Sequence, residues 1–370
     1  MNAWRDGKLG DVLTLQRGFD LPASARREGA VPIVSSSGIT GFHDEAKIQG
    51  PGVVIGRYGT LGEVHFVTED FWPLNTSLYV KDFKANDRRY CAYLLKTVAV
   101  ASTSTAAAVP GVNRNVLHEL PVRYPNVHTQ RRIASILSAY DDLMKLNRRR
   151  IALLEEMARR LFEEWFVRFR FPGHEDHAMV ETPEGPLPEG WNFCPLEELL
   201  ILQRGFDLPS SARTPGPVPV IAAGGVHGTH IEAKARGPGI VTGRSGTIGT
   251  VLLVHEDHWP LNTTLFVKEF RLASPAYALH LLRNLDLRSH SGGAAVPTLN
   301  RNHLHRLLVA CPPPELVAHY EQIAMEQLMA AHLIERQQIL LTAARDLLLP
   351  RLISGELPVS VAEQELEAVA

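Results

Sequence analysis

The 370-residue chain has little of several things that would otherwise classify it quickly. Its three cysteines, Cys91, Cys194 and Cys311, lie far apart and without CxxC spacing, so neither a disulfide framework nor a zinc site is expected. No run approaches the 18 or so uninterrupted apolar residues of a membrane span, and Met1-Asn2-Ala3-Trp4-Arg5-Asp6 lacks the apolar core of a signal peptide. A cytoplasmic protein with no membrane partner is therefore expected. Catalytic signatures are missing as well: no GxxxxGK[ST] phosphate loop, no HExxH, no GxSxG elbow, no PD…(D/E)xK nuclease pattern and no Asn-Pro-Pro-aromatic tetrapeptide. What remains is ample apolar content, 45% against 21% charged residues, enough for two or three folded domains.

The net charge of −2 hides an uneven distribution. Residues 1–125 carry 14 Lys and Arg against 12 Asp and Glu, and residues 126–170 carry 10 against 6. Residues 191–312 carry 11 against 8, whereas 171–190 carry none against 5 and 313–370 carry 3 against 9. Two mildly basic blocks and one basic helix thus alternate with an acidic linker and an acidic end. Nucleic-acid binding needs a basic face rather than a basic total, so near-neutrality does not exclude it.

The strongest signal is an internal duplication at an offset of 187. Leu15-Gln16-Arg17-Gly18-Phe19-Asp20-Leu21-Pro22 returns as Leu202-Gln203-Arg204-Gly205-Phe206-Asp207-Leu208-Pro209. Trp72-Pro73-Leu74-Asn75-Thr76 pairs with Trp259-Pro260-Leu261-Asn262-Thr263, and Asn113-Arg114-Asn115 with Asn300-Arg301-Asn302. About three positions in five are identical from Leu9 to Phe83, without a gap. The period is far longer than that of a solenoid repeat. The chain is two copies of one module, in the order A–B–A′–B′.

Module A, residues 1–125 and 191–312, reads as mixed α/β. Gly52–Ile55 and Leu78–Val80 look like strands between Gly/Pro punctuation, and Tyr90–Val98 and Tyr277–Leu285 look helical. Module B is helical. Positions 133, 137, 140, 144, 147, 151, 154, 158, 161 and 165 form a heptad seam, with Asn147 its single polar member. A helix over 129–168 would run roughly 60 Å and needs a second long helix as partner. Residues from Tyr320 to about Leu349 offer one, which Pro350 is expected to end. Residues 171–190 read as a linker.

Few of the chemically suggestive residues occur in both copies. Ser245 in Gly243-Arg244-Ser245-Gly246 faces Tyr58 in the other copy, which excludes a catalytic role common to both. Gly56–Gly62 departs from GxGxxG spacing and reads as strand–turn–strand. Of sixteen histidines only His43/His230 and His118/His305 recur, without a second ligand one turn away, so core or turn roles are expected and no metal site. The repeated cations are Arg17/Arg204, Lys47/Lys234, Arg57/Arg244 and Arg114/Arg301. Arginine suits bidentate contact with guanine and lysine suits phosphate. Arg57 and Arg244, on turns between glycines, rank highest. Asn75/Asn262 and Asn113/Asn300 suit adenine edges, or equally turn and cap positions.

The whole chain resembles the specificity subunit of type I restriction–modification systems. The resemblance rests on Leu9-Gly10-Asp11-Val12, Trp72–Lys81, Val109–Asn115, Gln130-Arg131-Arg132-Ile133-Ala134-Ser135-Ile136-Leu137, Asp141-Asp142-Leu143, Asn147-Arg148-Arg149-Arg150-Ile151 and Glu164–His174. It implies an α/β (α+β) duplicated fold: two globular target-recognition domains alternating with two long helices packed as an antiparallel, pseudo-twofold coiled coil. The domains would be 1–125 (recognition domain 1), 126–170 (first conserved helical region), 171–190 (linker), 191–312 (recognition domain 2), 313–355 (second conserved helical region) and 356–370 (acidic tail). The resemblance further implies a chain without catalysis or cofactor of its own that binds double-stranded DNA. Its helices would dock two methyltransferase subunits using S-adenosylmethionine, and leave room for two restriction subunits using ATP and Mg. Arg131, Arg132, Arg148, Arg149 and Arg150 would serve that docking. Tyr320-Glu321-Gln322-Ile323-Ala324 lacks the basic pair of the first helical region, so docking at the two helical regions is expected to be unequal.

Because the copies are so alike, an interrupted near-palindrome is expected, with half-site centres roughly 10 bp apart. Tyr58/Ser245, Thr40/His227 and Phe42/Thr229 mark where the halves diverge. The rival readings are a coiled-coil protein-interaction scaffold without DNA specificity and a DNA-modifying enzyme with activity of its own.

Overall fold

The computed structural model describes residues 4–57, 62–105, 113–292 and 297–367. In the first copy β1 (Arg5–Lys8) leads into the single turn α1 (Leu9–Val12) and then β2 (Thr14–Arg17), β3 (Val31–Ser35), β4 (Gly38–His43), β5 (Gly52–Gly56), β6 (Val64–Val67), β7 (Trp72–Pro73) and β8 (Ser77–Asp82). Helices α2 (Arg88–Thr105) and α3 (Arg114–Glu119) precede β9 (Pro121–Tyr124), which pairs back onto β1. The long helix α4 (Val127–Phe162) follows, closed by a π-turn over Glu163–Val167. A hairpin of β10 (Met179–Thr182) and β11 (Gly185–Pro188) occupies the linker region.

The second copy repeats the plan with β12 (Asn192–Pro195), α5 (Leu196–Leu199), β13 (Leu200–Arg204), β14 (Val218–Ala222), β15 (Gly225–His230), β16 (Gly239–Gly243), β17 (Val251–Val254), β18 (Trp259–Pro260) and β19 (Thr264–Phe270). It continues through α6 (Pro275–Asn284), the short pair β20 (Ser291–Gly292) and β21 (Thr298–Leu299), α7 (Arg301–His305) and β22 (Leu308–Cys311). Helix α8 (Pro314–Ser354) and helix α9 (Val359–Glu367) end the described chain.

Each copy builds one four-stranded antiparallel sheet, β2–β8–β5–β6 or β13–β19–β16–β17, and one three-stranded sheet, β4–β3–β7 or β15–β14–β18. The strands expected on either side of the glycine-rich segment are present, β5 pairing antiparallel with β6 and β16 with β17, while residues 58–61 between the first pair lie outside the described residues. The strand cores are β-branched, and Val53, Val54, Ile55, Ile240 and Val241 are all buried.

The chain divides into two compact units, one of residues 1–146 and 338–370, the other of 147–337. Within the first, Arg345 meets Asp141 and Gln338 meets Met144, so the two helical segments run antiparallel. Ile133 and Leu137 of α4 share a core there with Leu9, Leu95, Leu352 and Ile353. Within the second, Tyr320 meets Ala158 and Gln337 meets Asn147, again antiparallel. An aromatic cluster of Phe162, Trp165, Phe166, Trp191, Tyr277 and Tyr320 fills that core. The heptad seam of α4 is buried or half-buried at every member, Asn147 included.

Two expectations change. Pro350 does not end α8, which runs four residues further. One missing backbone donor costs a single intrahelical bond, and Leu352 and Ile353 anchor the final turn in the core. Residues 356–370 are more than an acidic tail, since Leu357, Val359 and Ala362 are buried and Glu363 forms an ion pair with Arg132. The three cysteines are free and buried. No helix among the described residues is long and apolar enough to cross a membrane.

Candidate nucleic-acid interface

The repeated octapeptide owes its form to a close backbone crossing. A Cβ on Gly18 would lie 2.2 Å from the Leu74 carbonyl oxygen, and one on Gly205 would lie 2.2 Å from that of Leu261. Only glycine fits. The crossing lets the Phe19 N–H donate to the Pro73 carbonyl at 2.8 Å and the Asn75 N–H donate to the Phe19 carbonyl at 3.0 Å. It also places the Asn75 amide against the Asp20 carboxylate, and Asn262 against Asp207. These asparagines brace the loop from within the protein, the turn role expected for them. Asn113 and Asn300 are likewise spent, capping α3 and α7 by accepting from Asn115 and Asn302 N–H at 2.9 Å.

Around this crossing the structure gathers most of the expected cations. Arg17 and Arg204 end β2 and β13, 3.8 and 3.9 Å from Asp20 and Asp207. Their side chains remain 55% and 52% exposed, so these pairs hold the arginines in place without occupying them. Arg57 and Arg244 follow the last residues of β5 and β16, and their N–H groups donate to the Thr76 and Thr263 carbonyls at 3.1 and 2.9 Å. Ser245 is half-buried beside Thr298, and the Leu299 N–H donates to the Arg244 carbonyl at 2.9 Å. That bond ties the segment leading into α7, whose first residue is Arg301, to the backbone at Arg244. Arg114 opens α3 in the same way and is exposed. Tyr58 and residues 109–112 lie outside the described residues.

Lys47 and Lys234 are more committed. Their ammonium groups stand over the rings of Trp72 and Trp259, at 4.7 and 5.0 Å from the centroids, and pair with Glu45 and Glu232. They form platforms at the flank of the crossing.

The recurring histidines work as backbone acceptors. His118 and His305 receive the Leu15 and Leu202 N–H on Nε2 at 2.8 and 2.9 Å, latching α3 and α7 to the strands that carry Arg17 and Arg204. Burial pushes both imidazoles below their ordinary range, with nearby arginines contributing, which keeps the acceptor nitrogen free of a proton. His43 and His230 receive the Arg27 and Thr214 N–H at 3.0 and 3.1 Å.

On the helices, Arg131 and Arg148–Arg150 are exposed, and none has a carboxylate within ion-pair distance among the described residues. Arg132 is held by Glu363. Arg131 and Arg132 line a groove of about 520 Å³ with His128, Ser135 and Glu363. Sequence reasoning missed a cleft of about 360 Å³ in the second unit, where His255 and His332 stack at 4.1 Å beside Glu256, Glu335, Glu155 and Arg283. It also missed Arg26 and Arg213, which repeat at the same offset as Ser24-Ala25-Arg26 and Ser211-Ala212-Arg213 but whose hairpin partners are distant in sequence.

A mixed α/β module, present twice, carries arginines at a glycine-dependent crossing and packs against antiparallel helices, which defines a duplicated protein with one constellation repeated. Residues 1–156 match the family described as type I restriction modification DNA specificity domain. The chain is 23% identical over 321 residues to the type I restriction enzyme MjaIX specificity subunit of Methanocaldococcus jannaschii, covering 78% of this chain and 74% of that one. It is 26% identical over 141 residues to the EcoprrI specificity subunit of Escherichia coli, 36% of this chain and 35% of that one. Its fold matches the type I restriction–modification S subunit of M. genitalium with a TM-score of 0.71 at 17% identity, over 95% and 96% of the two chains. Residues 1–156 thus match a type I restriction modification DNA specificity domain, and the chain is similar along most of its length to a type I specificity subunit.

Proposed function

We propose that this chain, without catalysis of its own, reads a bipartite DNA target whose two halves are related, one half by each copy of the module. The observation that carries this is the repetition of one constellation: Arg17, Asp20, Asn75 and Arg57 in the first copy, Arg204, Asp207, Asn262 and Arg244 in the second. Arg114, Arg301, Lys47 and Lys234 extend each set, and Tyr58 and Ser245 mark a point where the halves differ. The arginines suit guanine edges and the lysines suit phosphate.

The helices are the docking surface for two methyltransferase subunits, with two restriction subunits completing the assembly. Leu146, Ile339, Leu340 and Leu347 in the first unit, and Leu153, Met157 and Leu333 in the second, are exposed apolar residues on α4 and α8. Arg131 and Arg148–Arg150 offer charge beside them. S-adenosylmethionine, ATP and Mg belong to the partners.

The test is a footprint of the chain purified with a methyltransferase encoded beside it, repeated across a salt series. Two protected blocks with a fixed unprotected spacer, weakening steeply with salt, support the reading. A stable protein complex that protects no specific sequence would favour the interaction scaffold instead.

A further inference from the structure

Arg213 and His227 form a contact that has no counterpart among the described residues of the first copy. The Arg213 Nη1 donates to the His227 carbonyl at 2.6 Å and lies 3.2 Å from His227 Nδ1. A guanidinium has donors only, so Nδ1 accepts and the ring proton sits on Nε2. His227 is exposed on β15, and among the described residues no partner takes its Nε2–H. Both arginines lie over the equivalent hairpin glycine: a Cβ on Gly228 would lie 3.2 Å from Arg213 Nη1, and one on Gly41 would lie 3.6 Å from Arg26 Nη1. The frame is the same, but the first copy has exposed Thr40 where the second has His227.

The hairpin also adjoins the arginine loop. In the second copy the turn between β14 and β15 touches it, with Gly224 3.8 Å from Thr247 Oγ1 and Gly243 3.2 Å from the Ala223 Cβ, each measured to an ideal Cβ on the glycine. Val226, next to His227, is 71% exposed and lines the cleft that also holds His255 and His332.

We propose that His227, oriented by Arg213, is a specificity-determining residue that reads one base of the second half-site, and that Thr40 reads the matching base of the first. This rests on the bipartite reading above. A fixed N–H donor selects an acceptor edge, and guanine, with O6 and N7 side by side in the major groove, offers the best one. A threonine supplies a rotatable hydroxyl and a methyl group, which suits thymine or tolerates several bases. The two halves therefore differ at this base pair, with guanine on the side read by His227.

The experiment is a genome-wide map of modified adenines after co-expression with the methyltransferase, for the wild type, H227T and T40H. H227T should replace guanine in one half by whatever base the first half carries, leaving the other half unchanged. T40H should write guanine into the first half. At sites carrying the former base, modification should fall roughly five- to a hundredfold, the effect of one mismatched base pair. The untouched half in each variant reports that the protein is folded and assembled. A wild-type motif that both variants reproduce unchanged overturns the assignment of His227 while leaving the bipartite reading intact. No motif in the wild type overturns the bipartite reading, and this inference with it.

Discussion

Asp141 on α4 and Arg345 on α8, 204 positions apart in the chain, meet at 2.7 Å inside the first unit. The same carboxylate accepts the Tyr93 hydroxyl at 2.7 Å, so one side chain ties both helical segments to the globular module. Burial alone would raise the Asp141 carboxyl, but Tyr93, Arg345 and Lys96 together hold it below its ordinary range. Asp141→Ala leaves an arginine and a phenol without their acceptor and should cost about 2–4 kcal/mol. A denaturant titration reads this as a lowered midpoint. Because the folded carboxyl titrates lower than the unfolded one, its contribution is present above about pH 4 and disappears as the pH falls through the folded value.

The second unit should be acid-sensitive at a higher pH. Burial pushes the His280 imidazole down to about 4, against a weaker opposing pull from the Ala276 carbonyl. Its Nδ1 lies 2.8 Å from the Tyr320 hydroxyl, which also reaches the Ala158 carbonyl at 3.1 Å. A depressed histidine means that the unfolded chain binds the proton first, so stability is full above about pH 6.5 and falls towards pH 4, by about 3 kcal/mol. Thermal unfolding across that window should show the loss. H280F should flatten part of the slope, leaving the portion due to His255, His258 and His305, whose burial depresses them too.

Asn147 is the polar member of the helix seam. Its Nδ2 donates to Gln337 at 3.3 Å, while its Oδ1 is buried without a partner. Gln337 is exposed and would turn to water. Asn147→Leu should therefore stabilise the second unit by about 1 kcal/mol, the trade known for polar residues that fix register in coiled coils. An unchanged or lower denaturation midpoint would show that Asn147 contributes more than register.

Arginine and lysine variants should separate two kinds of contact. Arg244→Ala should relax discrimination at one base pair and leave the others intact, whereas Lys234→Ala should weaken all sequences alike and reduce the log–log salt slope by about 0.9. Competition binding with single-base variants of the target, at several salt concentrations, measures both.

Much of this was legible before any coordinates. The duplication offset predicts paired strands such as β5 and β16, and the four–three spacing along α4 predicts its buried face, because both follow from backbone periodicity alone. Asn75 shows where such reasoning stops. Its partner Asp20 is 55 residues away, and no local pattern reveals that the Gly18 crossing brings them together. The length of α8 was misjudged for a related reason: Pro350 is a local stop signal, and the core contacts of Leu352 and Ile353 that override it are not local. The Arg213–His227 contact was only half legible: Thr40/His227 stands out as a difference between the copies, but its partner Arg213 lies 14 residues away with no local pattern linking them.

The most direct test of the account is the map of modified adenines made by the wild-type chain with its methyltransferase, in a host without adenine methylation of its own. One bipartite motif is expected, with a fixed spacer and two related halves that differ at one or two base pairs. Two halves with no resemblance to each other would contradict it, because two modules this alike in sequence and geometry would then be reading unrelated DNA.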